Sequence, residues 1–107
     1  MALARKVLYF GQLANAKADI YSPSSADGLI HNITLHNINT TSENVVLYYH
    51  DGANEYIIYN IDIAQDETIL LDFIGEGFYV EDAGKITGST TVAAKVTIKI
   101  DGTEETP

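Results

Sequence analysis

A strict two-residue alternation near the end of the chain limits the fold more than any other feature. Between Val92 and Asp101 every second residue is apolar. The apolar set is Val92, Ala94, Val96, Ile98 and Ile100, and the other set is Ala93, Lys95, Thr97, Lys99 and Asp101. Successive side chains of a β-strand point to opposite faces, so this pattern predicts a half-buried strand with a charged outer face.

Four earlier segments also read as strands. Residues 29–36 and 68–73 alternate between apolar and polar, with less contrast. Residues 44–50 and 55–63 are apolar or aromatic on both faces, which predicts that something covers their second face. No stretch carries a sustained helical stripe, so the chain is expected to be built from strands.

Turn signals separate these segments at short intervals. Asp51-Gly52 is typical of a hairpin connection, Asn39–Ser42 of a polar loop, and Asp82–Gly84 of a turn that closes a strand. Short strands at this spacing predict an all-β fold, a single antiparallel β-sandwich of about eight strands with jelly-roll or Ig-like topology.

The length of 107 residues is enough for one domain with a real core. We therefore predict a single sandwich domain over residues 1–107. Arg5 and Lys6 precede the apolar run Val7–Phe10, and residues 1–10 are interpreted as an arm that adds a strand to a neighbour. The acidic, polar residues 102–107 are expected to form a frayed tail.

The charge balance excludes several classes of partner. Fifteen acidic residues against six basic ones give a formal net charge of −9. Nucleic-acid binding depends on Lys and Arg neutralising phosphates, and anionic membranes attract basic segments, so neither is a predicted partner. The chain has no cysteine, which excludes disulfides and thiolate metal sites.

The residues offer little that could support catalysis. His31 and His36 are five positions apart, so they point to opposite faces of one strand, and His50 lies beside a turn. Asp66-Glu67 could supply two or three oxygen ligands to calcium, but no Asp-x-Asp-x-Asp-Gly spacing accompanies them. No Gly-x-Ser-x-Gly elbow or phosphate loop is present. We predict no enzyme activity, no metal site and no cofactor.

The aromatic residues give the remaining functional indication, because the chain has seven tyrosines and no tryptophan. Tyrosine is enriched in protein interfaces, and packing at the core boundary is the competing interpretation. The predicted protein-interface residues are Arg5, Lys6, Tyr48, Tyr49, Tyr56 and Tyr59.

Strand and turn signals follow one another through Ile30–Thr41, Val45–Gly52, Asp66–Ile69, Phe78–Ile86 and the closing run Val92–Asp101. In this order they resemble small β-sandwich virion proteins of tailed bacteriophages. The resemblance covers residues 20–102 and is a pattern of turns and strands, with no catalytic residues to transfer.

The resemblance implies a structural virion protein, most specifically a capsid decoration (cement) protein that stabilises a phage head. It implies a location on the outer capsid surface after synthesis in the host cytoplasm, with the major capsid protein or other virion subunits as partners. A homo-oligomer is expected, with a trimer favoured. The alternatives are a neck, tail or fibre component and, from another class, a carbohydrate-binding module that would use exposed tyrosines.

Overall fold

The computed structural model describes residues 5–73, 75 and 77–105, and these ranges contain nine β-strands and no helix. The strands are β1 Arg5–Gln12, β2 Ala18–Tyr21, β3 Asp27–Asn37, β4 Glu43–His50, β5 Glu55–Ile63, β6 Thr68–Asp72, β7 Phe78–Val80, β8 Lys85–Thr90 and β9 Val96–Glu105.

The strands form two antiparallel sheets whose pairing is nested along the chain. One sheet has the order β1-β9-β3-β6, with β7 also pairing with β3, and the other has the order β2-β8-β4-β5. Thus β1 pairs with β9, β2 with β8, β3 with β6 and β7, and β4 with β5. A long hairpin that pairs its strands in this nested way and wraps into two sheets is a jelly roll. The predicted all-β sandwich is confirmed, and of its two candidate topologies the structure has the jelly roll.

The core lies between the two sheets because the inner faces carry the apolar sets predicted from alternation. Ile33 and Leu35 of β3 and Ile98 and Ile100 of β9 are almost completely buried, and so is Leu47 of β4. Side chains from both sheets form one apolar cluster in this layer, as in other sandwiches.

The last strand differs from its prediction at both ends. Val92 and Ala94 belong to the connection before β9, where Ala94 has a positive φ of 62°. The strand begins at Val96, and it continues through Gly102 to Glu105 by pairing with β1 and β3. Residues 102–105 of the predicted frayed tail therefore lie in β9, and residues 106–107 lie outside the described residues.

The N-terminal segment also has a place in the fold. Residues 5–10 of the predicted arm lie in β1, which pairs with β9 of the same chain. Residues 1–4 lie outside the described residues. In this arrangement β1 occupies one edge of its own sheet, and exchange with a neighbour would require it to leave β9.

One end of the sandwich is tied together by two buried polar side chains. Asn37 Nδ2 donates to the carbonyl oxygens of Thr41 at 3.0 Å and Ile63 at 2.9 Å, which joins two loops. Glu43 accepts from Thr90 Oγ1 at 2.9 Å and from the Val92 N–H at 2.8 Å. Every buried side-chain polar atom in the described ranges has a hydrogen-bond partner, and this includes the polar atoms of Asn37 and Glu43.

Candidate functional site: the outer faces and strand edges

The outer face of the β2-β8-β4-β5 sheet is a polar network that covers Tyr48. The Lys17 ammonium lies 5.0 Å from the centre of the Tyr48 ring, in cation–π contact, and it also binds the Glu55 carboxylate. Thr87 Oγ1 donates to Glu55 at 2.9 Å. The hydrogen bond from Lys17 lowers the pKa of Glu55, and the same bond raises the pKa of Lys17. Tyr48 is thus partly covered by side chains of its own chain.

Tyr49 and Tyr59 belong to an aromatic cluster between the two sheets. The ring of Tyr49 meets Phe78 edge-on, with 5.6 Å between centroids, and Tyr59 lies 6.3 Å from Phe73. Phe73 and Phe78 are themselves 5.5 Å apart. These contacts place both tyrosines at the boundary of the core, which is the packing role that the sequence left open.

Tyr56 is the predicted tyrosine most open to solvent. It is 55% exposed, and its neighbour Ile57 is 61% exposed. Both lie on β5, the outermost strand of its sheet. An exposed apolar pair on an outermost strand is a natural contact for another protein.

Arg5 and Lys6 lie on β1, which sits beside β2 and away from β5. The Lys6 ammonium binds Glu104, which also accepts from the Tyr21 hydroxyl at 2.6 Å. The Lys6 hydrogen bond lowers the pKa of Glu104. The structure therefore separates this basic pair from the four tyrosines, and the interface role of all six residues stays a prediction.

Two exposed apolar residues on the other sheet were missed by the sequence reasoning. Phe10 is 68% exposed and Leu70 is 58% exposed. Strand register places them in one row across the outer face, in the order Phe10, Lys99, Thr34, Leu70. Leu70 lies between two apolar neighbours, and alternation requires the middle residue of such a run to face outward. That signal was available in the sequence.

A small cleft lies on the same outer face near the far end of the sandwich. It holds about 70 Å³ and is lined by Asp27, Gly28, Leu29, Tyr79, Thr103 and Glu105. A hydrogen bond with Asp27 raises the pKa of Tyr79, which is 54% exposed. Asp27 Oδ1 also accepts from the Asp82 N–H at 2.9 Å. The cleft thus presents one aromatic wall and a carboxylate-rich rim.

Two of the three histidines make short-range side-chain contacts. His36 Nδ1 lies 2.7 Å from Thr68 Oγ1, and His50 Nδ1 accepts from the Gly52 N–H at 3.0 Å. Across residues 5–73, 75 and 77–105, no three His, Asp or Glu side chains converge as metal ligands would. The same ranges hold no helix that is long and apolar enough to cross a membrane.

Comparison with known proteins identifies distant structural similarities. No protein-family model matches the chain, and no curated protein matches it. The coat protein dimer of tobacco streak virus matches over 98% of this chain and 86% of its own, with 11% identity and a TM-score of 0.45. A pentameric capsid protein from metagenomic phage sequences matches over 94% of this chain, with 9% identity and a TM-score of 0.35, and this chain spans 64% of its length. Scores this low assign neither a family nor a function.

Proposed function

We propose that the protein is a structural subunit of a virus particle, and more narrowly a decoration (cement) protein on the outer surface of a tailed-phage head. The observation that carries the proposal is the nested pairing of β1 with β9, β2 with β8, β3 with β6 and β4 with β5. This topology is widespread in viral capsid domains and also occurs in lectins and cupins. A fold alone does not define a function, so the choice among capsid, lectin and cupin roles has to be argued from the surface.

The surface supports a role in protein contacts. Large apolar side chains are exposed on the outer strands and on one sheet face, which include Phe10, Tyr56, Ile57 and Leu70. Exposed apolar side chains on an outer face and on an outermost strand are candidate contacts for a protein partner. The described residues bring together no metal-ligand group of the kind that cupin chemistry uses.

Electrostatics favours an outward-facing position. Lysine ammonium groups form ion pairs within the chain, as in Lys6 with Glu104 and Lys85 with Asp19. The net charge of −9 therefore leaves a mostly acidic surface, which packaged nucleic acid would repel. We propose the major capsid protein and other virion subunits as partners, with copies of this chain bound side by side.

Cement activity follows from simple linkage. A cement protein binds the assembled shell more tightly than it binds free shell subunits. Such a protein stabilises the shell, and the stabilisation grows with the free energy of binding. No catalytic step is needed, and many weak contacts around a symmetric shell add up through multivalency.

A binding assay on particles tests the proposal. Virus heads that lack this protein are prepared from the virus that encodes it, and purified protein is added to them. The copies bound per head are counted after sedimentation. We expect saturable binding at a fixed number of copies per head and a higher temperature of DNA release. Binding confined to the tail or neck would contradict the decoration role and favour a tail or neck component.

Two variants on one strand sharpen that assay. Leu70→Asn removes an exposed apolar side chain from β6, and Asp72→Asn removes a charge two residues away on the same strand. If the row from Phe10 to Leu70 contacts the shell, Leu70→Asn weakens binding and Asp72→Asn leaves it unchanged. Equal binding by both variants would exclude this face as the contact.

The cleft beside Tyr79 favours carbohydrate binding as the second candidate. An exposed tyrosine with neighbouring carboxylates suits sugar recognition, but the volume of about 70 Å³ is well below that of ordinary ligand pockets. Specific binding of a glycan by the monomer, together with no binding to heads, would reverse the order of the two proposals.

A further inference from the structure

β5 is the longest outermost strand among the described residues. It is the outermost strand of its sheet and has nine residues, about 30 Å in length. Edge strands are usually protected by shortness, lysine, proline or a bulge. β2 and β6 have four and five residues, and β1 carries Arg5, Lys6 and a bulge at Leu8. β5 has neither lysine nor proline, and its single bulge, at Ile58, leaves Tyr59–Ile63 regular.

The charges around β5 favour a second copy of the same chain as the occupant of this edge. The six residues Tyr56–Ile61 are uncharged, in a protein whose net charge is −9. The carboxylates at the two ends are already bound, Glu55 by Lys17 and Asp62 by Asn44. Two acidic molecules repel each other least where a weakly charged strand meets its own copy, and Asp62 is the one carboxylate of β5 that has no cationic partner among the described residues.

Antiparallel pairing of a strand with its own copy also fixes a register. If the two-fold axis passes through Ile61, Asn60 of each copy lies opposite Asp62 of the other. Asn44 Nδ2 donates to Asn60 Oδ1 at 2.8 Å and to Asp62 Oδ1 at 2.9 Å. The Asn60 amide N–H groups and the second Asp62 oxygen are then available for a bond across the axis. An axis through Asp62 would instead set two carboxylates face to face, which is unfavourable.

We propose that β5 of one copy pairs with β5 of a second copy about a two-fold axis through Ile61. The pairing joins two four-stranded sheets into one sheet of eight strands. The biological role of this pairing rests on the proposed function, because the pairing is the surface through which copies bound to the shell would meet. The proposed contact between copies is two-fold, whereas the sequence resemblance favours a trimer.

The contact is expected to be weak in isolation. With the axis at Ile61, only residues 59–63 of the two copies lie opposite each other, and this short strip buries less than the roughly 1,200 Å² that stable dimers need. Association should therefore be reversible at roughly tens of micromolar and become effective where many copies sit on one surface.

A charge-swap series tests the register. Asn60→Asp puts like charges opposite each other twice per dimer, and we expect dimer affinity to fall on the order of tenfold. The double variant with Asp62→Asn restores one amide opposite each carboxylate and should recover wild-type affinity at the original net charge. Sedimentation equilibrium measures both. Wild-type affinity in Asn60→Asp, no recovery in the double variant, or a wild-type protein that is monomeric or trimeric would each overturn the proposal.

Cross-linking gives an independent test because the chain has no cysteine. Directly opposite residues of an antiparallel pair have Cα atoms about 4.5–5.5 Å apart, within disulfide range. Ile61→Cys should oxidise to a covalent dimer at least about tenfold faster than Leu70→Cys, which is a more exposed position on the other sheet. Equal rates would overturn the proposal. Circular dichroism of each variant confirms that it is folded before its rate is used.

The two proposals fail separately. Heads that bind wild-type and Asn60→Asp protein with equal affinity and equal cooperativity would overturn the β5 contact and leave the virion role standing. A dimer that shows the charge-swap pattern but does not bind heads would overturn the virion role and support the β5 contact.

Discussion

At the scale of single residues, the most consequential side chains are the two buried polar ones at one end of the sandwich. Asn37 is fully buried, and Glu43 is only 1% exposed. Their partners lie on different loops, so each side chain satisfies backbone groups that would otherwise be buried without a hydrogen bond. Removing either one leaves those groups unpaired in a low-dielectric environment, which costs more than an ordinary hydrogen bond contributes.

Asn37→Ala is expected to destabilise the fold by about 2–4 kcal/mol, because it leaves the carbonyl of Ile63 without its buried donor. The free energy of unfolding from urea titration measures the change. Asn54→Ala in the exposed β4–β5 turn is the matched control and should stay within about 0.5 kcal/mol of wild type. Equal effects of the two substitutions would show that Asn37 does not tie the loops together.

Stability should also fall in acid in a way that depends on Glu43. Burial by itself raises the pKa of Glu43, but the hydrogen bonds from Val92, Asn39 and Thr90 outweigh it, so its pKa lies below the ordinary value of 4.5. The folded state then binds fewer protons than the unfolded state. This contribution is complete above the ordinary pKa and is lost as pH falls through the lower folded pKa.

Glu43→Gln should therefore show a shallower loss of unfolding free energy than wild type between about pH 5 and pH 3. It should also be less stable at pH 7, by about 1–2 kcal/mol, because one acceptor oxygen is replaced by an amide group. Glu81→Gln has the same net charge and changes an exposed side chain. Identical acid profiles for Glu43→Gln and Glu81→Gln would contradict the prediction.

The sequence could not reveal these residue-scale roles. Asn37 stands in a polar stretch that reads as an ordinary loop, and its acceptor Ile63 lies far along the chain. The tyrosines show the same difficulty. Alternation predicts that Tyr48 and Tyr49 point to opposite faces of the sheet. Only the structure shows that Tyr49 packs on Phe78 at the core boundary and that Lys17 covers Tyr48 on the outer face.

At the scale of elements, β9 shows what a periodic pattern can and cannot locate. The alternation predicted its inner face correctly from Val96 to Ile100. It did not predict where the strand begins, because Val92 and Ala94 keep the apolar period by coincidence inside a turn. It also did not predict that Gly102 continues the strand. The backbone of β3 approaches so closely there that a Cβ would lie 2.1 Å from the Leu29 carbonyl oxygen.

Gly102→Ala is therefore expected to be among the most damaging single-methyl additions in the chain, at about 2–3 kcal/mol or more. In Gly11→Ala the added methyl would meet the Tyr9 hydroxyl at 2.7 Å, and that side chain can move aside. We expect the second variant to lose about 1 kcal/mol or less. Thermal denaturation compares them, and a silent Gly102→Ala would mean that the end of β9 is frayed after all.

At the scale of the whole molecule, alternation and turns were enough to predict a sandwich but not its topology. Jelly rolls and Ig-like sandwiches are built from similar strands, and the difference lies in which strands become neighbours. The pairing of Val7 with Asp101 and of Phe10 with Lys99 joins opposite ends of the chain. Such long-range pairing leaves no local trace in the sequence, since the residues that meet carry no complementary pattern.

Net charge should set the salt dependence of self-association. Two copies at −9 repel each other at separations within the Debye length, which shortens as salt rises, whereas a hydrogen bond between Asp62 and the neutral Asn60 amide depends less on salt. We expect association to strengthen as sodium chloride rises from about 0.05 M to about 0.5 M, as measured by sedimentation velocity. Weakening with salt would indicate an interface built on ion pairs.

The central position of β9 has a consequence for synthesis. β9 lies between β1 and β3, so this sheet has a gap in its middle until residues 96–105 have left the ribosome. β1 through β8 emerge first with their inner apolar faces uncovered, and pairing across most of the chain length folds slowly. The excess of acidic residues then favours solubility of the nascent chain, because repulsion between like charges keeps incomplete copies apart until β9 inserts.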